Sequence, residues 1–103
     1  LYSIVLNYAG NVGKAMKIYG IDKIKELPCL RSLVQYKKEG DIVGTDEKPH
    51  PRVAMISLCS FDKELLIENA RIVMDSYEVV DANEFSLLLE KPSEDNFKCM
   101  EFI

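Results

Sequence analysis

The sequence predicts an α/β or α+β fold, with a helical N-terminal part followed by a β-α-β-α-β unit or, alternatively, a β-α-β-β-β unit. Residues 52–60, "RVAMISLCS", form an apolar run of the length of a buried strand. Residues 61–77 that follow have apolar side chains at helical spacing. We therefore expect one compact domain, with a helical part at 1–40, a loop at 41–51 and an α/β part at 52–103.

The first forty residues contain several segments whose spacing favours helices. Residues 1–8, "LYSIVLNY", fit a strand and a helix equally well, which is common for short apolar runs. Residues 12–20 place Val12, Ala15, Met16 and Tyr19 on one helical stripe that ends at Gly20. Residues 21–27 and 29–38 also favour helices, separated by a break at Pro28.

The clearest helix of the sequence lies within residues 61–77. Asp62 is a suitable N-cap, since its side-chain oxygen can accept hydrogen bonds from the first backbone N–H groups. Five apolar residues share one stripe of this helix and predict its buried face: Leu66, Ala70, Val73, Met74 and Tyr77.

The rest of the C-terminal part predicts strands at 77–80 and 97–103. Residues 83–90 fit a short helix capped by Asn83 or a strand, and we favour the helix. That choice gives parallel strands joined by right-handed crossovers. The strand at 52–60, apolar on both faces, would then be covered on both sides.

Composition indicates an ordinary globular chain of 103 residues that is 48% hydrophobic. No apolar run approaches the roughly 18 residues of a membrane span, so we expect no membrane association. Cys29, Cys59 and Cys99 form no C-x-x-C pair, which argues against a zinc site or a disulfide framework. We expect buried thiols in an intracellular, cytoplasmic protein, without a metal or cofactor.

Charge is distributed unevenly along the chain. Residues 1–40 hold seven basic and three acidic side chains, whereas residues 41–103 hold six basic and fourteen acidic ones. A basic segment suits nucleic acid or an acidic partner. It equally suits the acidic part of the same fold or of a second copy.

The stretch "YAGNVGKAMKIYGID" at 8–22 raises the question of a phosphate or DNA site. The residues argue against a phosphate loop, because Tyr8 stands where the pattern needs glycine and Ala15 where it needs a hydroxyl. The placing of Gly10, Asn11, Ala15, Gly20 and Ile21 resembles the Fis-type and transposase-type helix-turn-helix. The resemblance implies a helix in the DNA major groove after the turn. The basic residues that would contact DNA are Lys14, Lys17, Lys23, Lys25 and Arg31.

A second candidate site follows the apolar strand, at "SLCSFD" (57–62). In open α/β folds, ligands bind where strands end, so Cys59, Ser60 and Asp62 are the candidate ligand-binding residues. The order of elements in 52–103 resembles the first half of a response-regulator receiver domain, without its acidic cluster at 57–60. It is similar also to a BRCT repeat, without the paired glycines. The resemblance to a receiver domain implies an interaction domain that cannot be phosphorylated.

No coherent set of catalytic side chains emerges from the sequence. We therefore favour a non-catalytic regulatory or interaction domain that binds a protein partner or a second copy, as part of a larger protein or an oligomer. The first alternative is a DNA-binding regulator with a helix-turn-helix at 10–38. The second is a small enzyme or ligand-binding domain with its site near Cys59–Asp62.

Overall fold

The computed structural model describes residues 1–49, 51–94, 97 and 101–102, and most of its regular structure is strand. The described helices are α1 (Ile21–Lys25) and α2 (Lys63–Ser76). The described strands are β1 (Tyr2–Gly10), β2 (Gly13–Lys14), β3 (Lys17–Tyr19), β4 (Leu30–Gln35), β5 (Ile42–Gly44), β6 (Arg52–Ser60), β7 (Glu78–Val80), β8 (Leu88–Glu90) and β9 (Glu101–Phe102). The predicted helical N-terminal part is therefore wrong, since residues 1–40 contain four strands and one five-residue helix.

The main sheet is antiparallel, with the strand order β4-β6-β1. Leu6 of β1 lies opposite Ile56 of β6, and Leu33 of β4 lies opposite Ile56 from the other side. Both β8 and β9 pair with β1, at opposite ends of that strand. The expected parallel sheet is wrong. The described neighbours of β6 are β1 and β4, and both run antiparallel to it.

Helix α2 covers one face of this sheet. Sheet residues such as Leu6, Ile56 and Leu58 are fully buried, and so are Leu66 and Val73 of the helix. Burying a side chain of this size contributes about 1.5–3 kcal/mol. The helix begins as predicted, because Asp62 Oδ1 accepts the N–H groups of Glu64 and Leu65 at 3.0 and 3.2 Å. The predicted strand at 52–60 and helix at 61–77 are thus confirmed.

Two small ladders occupy the segment that was expected to be helical. β2 pairs with β5, and β3 pairs with β7, the strand that follows α2. Between them, the Ala15 N–H donates to the Asp41 carbonyl and the Met16 N–H donates to the Val80 carbonyl, both at 2.9 Å. Long-range hydrogen bonds therefore replace the local bonds that a helix would form here. Residues 30–35, also expected to be helical, form β4.

The region 83–90 forms a turn and a strand instead of the favoured short helix. Asp81 Oδ1 accepts the N–H groups of Asn83 and Phe85, and Glu84 has a left-handed φ of 63°. The chain then leads into β8, which pairs with the end of β1. Of the strand predicted at 97–103, Glu101–Phe102 is observed as β9, and positions 98–100 and 103 lie outside the described residues.

Candidate interaction surface

The face of the sheet opposite α2 is only partly covered. Side chains alternate along β1, so Leu6 is fully buried against the helix while its neighbour Val5 is 43% exposed. We call this second face the open face. The residues that define it are neutral and half-buried or exposed: Ser3, Val5, Asn7, Ser32, Val34, Met55, Ser57 and Cys59.

Three apolar side chains form the centre of the open face. Met55 of β6 lies opposite Val34 of β4, and it is diagonal to Val5 of β1. Cross-strand and diagonal neighbours on one face are close enough for side-chain contact. The three residues therefore make one apolar stripe across three strands, with serines and Asn7 around it.

The open face has a defined boundary at one end. Arg52, Asn7 and Met55 contribute to a shallow cavity of about 370 Å³ at its edge. Beside it, Val53 is fully buried, and Gly10 lies close to the side chains of both Val53 and Val43. A Cβ atom on Gly10 would lie 2.1 Å from Val43 Cγ1 and 2.7 Å from Val53 Cγ2. The face therefore ends where β5 packs, with one arginine at its margin.

The five residues predicted to contact DNA are exposed, but four different elements carry them. Lys14 lies on β2, Lys17 on β3, Lys23 and Lys25 on α1, and Arg31 on β4. A helix-turn-helix needs two helices, and α1 is the single helix between residues 10 and 38. The observed fold thus gives these cations no common recognition helix. DNA binding through them stays a prediction.

A groove lies at the carboxyl end of β4, beside the start of α1. Its volume is about 820 Å³, and Lys23 and Lys38 line it together with Asp22 and Glu39. Gln35 contributes too, and its Oε1 accepts a hydrogen bond from the Tyr77 hydroxyl at 2.8 Å. One Glu39 carboxylate oxygen accepts the Ile18 N–H. The groove therefore carries charges of both signs.

Cys59, Ser60 and Asp62 lie close together, but their polar groups bond to the surrounding backbone. Asp62 caps α2, and its own N–H donates to Ser60 Oγ at 3.0 Å. The Cys59 N–H donates to the Cys29 carbonyl at 2.8 Å. Burial raises the pKa of the Cys29 thiol more than a hydrogen bond with Ser60 lowers it. This cluster holds a strand end and a helix start together, and the pKa of Cys29 is shifted in the direction opposite to that of an activated thiol.

The cysteines and acidic residues form no evident metal site in the part of the chain that the structure describes. No group of three or more His, Cys, Asp or Glu side chains there has an arrangement that could hold a metal ion. Among the same residues, no helix has the length and apolar character needed to cross a membrane. Cys99 and His50 lie outside the described residues.

Comparison with known proteins adds no family assignment. No family model, curated protein or solved structure matches the chain. The resemblances to helix-turn-helix, receiver and BRCT families are untested by these comparisons. The functional interpretation therefore depends on the geometry of the molecule itself.

The open face is not among the sites that the sequence predicts. In the strand interpretation of residues 1–8, Ser3, Val5 and Asn7 share one face, and this alternation was the available signal. It was not decisive because a helical stripe fitted the same residues. Val34 of β4 also belongs to the open face, but it lies in a segment that the sequence predicts to be helical.

Proposed function

We propose that this chain is a non-catalytic interaction domain that binds another protein surface through its open face. The observation that carries the proposal is the contrast between the two faces of one sheet. The α2 side contains fully buried residues such as Leu6, whereas Val5 on the other side stays 43% exposed. A half-covered sheet face with apolar residues at its centre suits protein contact.

The chemistry of the face indicates the kind of partner. Its defining residues carry no charge, although the whole chain has a formal net charge of −4. An apolar, uncharged complement would bury Val5, Val34 and Met55, with serines and Asn7 forming hydrogen bonds at the rim. Such an association should depend little on salt, because screening weakens charge pairs and leaves apolar burial intact.

Site-specific photocrosslinking tests the proposal in the intact protein. Benzoylphenylalanine would replace Met55 on the open face and, as the matched control, Glu68 on the exposed side of α2. We expect covalent protein adducts from position 55 and none from position 68. Val5→Lys in the same chain should abolish the adducts from position 55. Adducts from position 68 alone, or equal adducts from both positions, would contradict the proposal.

The second candidate function is DNA binding, which the exposure of Lys14, Lys17, Lys23, Lys25 and Arg31 favours. Phosphate contacts release counterions, so the affinity should fall steeply as salt rises. A gel mobility-shift titration with duplex DNA at several salt concentrations measures this. Absence of a shift at low salt removes the DNA-binding candidate and leaves the open-face proposal intact.

A further inference from the structure

Strand β4 is an edge of the main sheet. It pairs with β6 on one side, and in the described part of the chain no strand pairs with its other side. The strand contains no proline, and its one irregularity is a register shift between Leu30 and Ser32. Residues 32–35 therefore form a regular stretch of unpaired edge, which is a template for another strand.

The hydrogen-bond register identifies the backbone groups that this edge presents. The Tyr36 N–H donates to the carbonyl of Val53, one step beyond the last residue pair of the two strands, Gln35 and Ala54. In an antiparallel pair, the hydrogen-bonded positions alternate with positions whose groups point away. Val34 and Ser32 therefore bond toward β6, and the N–H and C=O groups of Leu33 and Gln35 point outward. Among the described residues, the backbone hydrogen bonds outside helices and strand pairs do not involve these two N–H groups.

The charges near β4 specify the composition of the strand that would pair there. Residues 30–38, which are β4 and the three residues after it, hold three basic side chains and no acidic one. Lys23 and Lys38 reach the groove at the carboxyl end of β4, where Asp22 and Glu39 are also present, and Arg31 is exposed on the strand itself. An incoming strand with carboxylates would complement this excess of positive charge. A second copy of β4 would instead bring the same cations together.

We propose that β4 binds an acidic, extended segment of a partner protein as an additional strand of the sheet. The backbone groups of Leu33 and Gln35 supply affinity by pairing with the segment, and the surrounding lysines select for carboxylates. The outward backbone groups of Leu33 and Gln35 are distinct from the side chains of Ser32 and Val34 that β4 contributes to the open face. The peptide experiment tests the edge, and photocrosslinking at position 55 tests the face.

Synthetic peptides test the inference on the intact chain. The probe is a soluble ten-residue peptide of alternating Glu and Val, and its controls are the Lys–Val peptide and two N-methylated Glu–Val peptides. In one control, N-methyl groups replace the N–H donors that would point toward β4 and pair with it. In the other control, the N-methyl groups are on the intervening residues, whose N–H groups point away from β4. We expect the facing N-methyl groups to weaken binding about tenfold or more, because they remove the donors that pair with the Leu33 and Gln35 carbonyl groups. Fluorescence anisotropy gives the affinities.

Hydrogen exchange locates the bound peptide. The amide protons of Leu33 and Gln35 should become protected when the Glu–Val peptide is added, while the already bonded Val34 changes little. Lys23→Gln with Lys38→Gln should weaken binding severalfold, whereas Lys63→Gln on α2 and Val5→Lys on the open face should not.

Four outcomes would overturn the inference. These are no binding of the Glu–Val peptide at millimolar concentration, equal affinity for both N-methylated forms, equal or tighter binding of the Lys–Val peptide, and protection at sites other than Leu33 and Gln35. Two further results would replace it with another occupant. Sedimentation showing a dimer that protects Leu33 and Gln35 would assign the edge to a second copy, and protection of the same amides by single-stranded DNA would assign it to nucleic acid.

Discussion

The rings of Tyr8 and Tyr77 lie 4.6 Å apart, centroid to centroid, with their planes tilted by 48°. Tyr8 comes from β1 and Tyr77 follows the last turn of α2, so the pair joins the sheet to the helix. The Tyr77 hydroxyl donates to Gln35 Oε1 of β4 at 2.8 Å. The Tyr8 hydroxyl is buried and has no hydrogen-bond partner among the described residues.

The two hydroxyl groups should contribute to stability in opposite ways. Tyr77→Phe removes a bond to Gln35, and we expect the free energy of unfolding to fall by about 1 kcal/mol. Tyr8→Phe removes an unpaired polar atom, so stability should be unchanged or higher. Urea unfolding followed by circular dichroism measures both. A larger loss for Tyr8→Phe than for Tyr77→Phe would show that the Tyr8 hydroxyl is bonded.

Alkaline pH should destabilise the fold through the same pair. Burial raises the pKa of both phenols well above the ordinary value. The unfolded chain therefore ionises first, and the free energy of unfolding should fall as pH rises above about 10. Unfolding titrations between pH 8 and pH 11 should show a shallower fall for the Tyr8→Phe, Tyr77→Phe double variant. The exposed Tyr36 serves as control, and if Tyr36→Phe flattens the profile equally, the assignment is wrong.

Two glycines with nearly the same positive φ should differ in their tolerance of alanine. Gly20 and Gly40 have φ values of 91° and 92°. A Cβ atom at Gly20 would lie 2.3 Å from the Ser76 carbonyl oxygen, whereas at Gly40 nothing lies within 4 Å. Gly40→Ala should cost about 1 kcal/mol of backbone strain, and Gly20→Ala well above that, since the α2 end must move. Similar thermal unfolding of the two variants would contradict this packing.

Asp62 should act as a helix cap. Asp62→Ala removes the acceptor for the Glu64 and Leu65 N–H groups, and we expect a loss of about 0.5–2 kcal/mol. Asp62→Asn keeps an oxygen at the same place and should retain most of the stability. Chemical unfolding of both variants checks this. Equal losses would indicate that the negative charge, and not the capping bond, is the stabilising feature.

The elements that could be predicted from sequence are those whose local and tertiary preferences agree. Residues 61–77 combine an N-cap with an apolar stripe, and α2 forms there. In residues 52–60, apolar side chains occur on both sides of the expected strand, and β6 forms there. Each segment also lies at the centre of the core, where burial strengthens the local preference.

The misassigned elements depend on partners far away in the chain. Val12, Ala15 and Met16 have helical spacing, but Ala15 is fully buried while Val12 and Met16 are about half exposed. Residues 41 and 80 supply the hydrogen bonds that hold this stretch extended. Without knowledge of those contacts, periodicity alone favoured a helix.

The candidate sites also differ in how far apart their residues lie along the chain. Cys59, Ser60 and Asp62 were recognisable as neighbours because they are close in sequence, and the structure brings them together at a strand end. The open face combines three strands separated by long stretches of chain. Only the pairing of β1, β6 and β4 brings Val5, Met55 and Val34 onto one surface.

Consecutive lysine substitutions along β1 test most directly whether one face of the sheet is free. Val5→Lys should change the free energy of unfolding by no more than about 0.5 kcal/mol, as at ordinary surface positions. Leu6→Lys should prevent folding, because it places an unpaired charge in the core beside α2. Urea denaturation of the two variants provides the comparison. If Val5→Lys unfolds the chain as Leu6→Lys does, both faces are covered, and no open face exists for a partner.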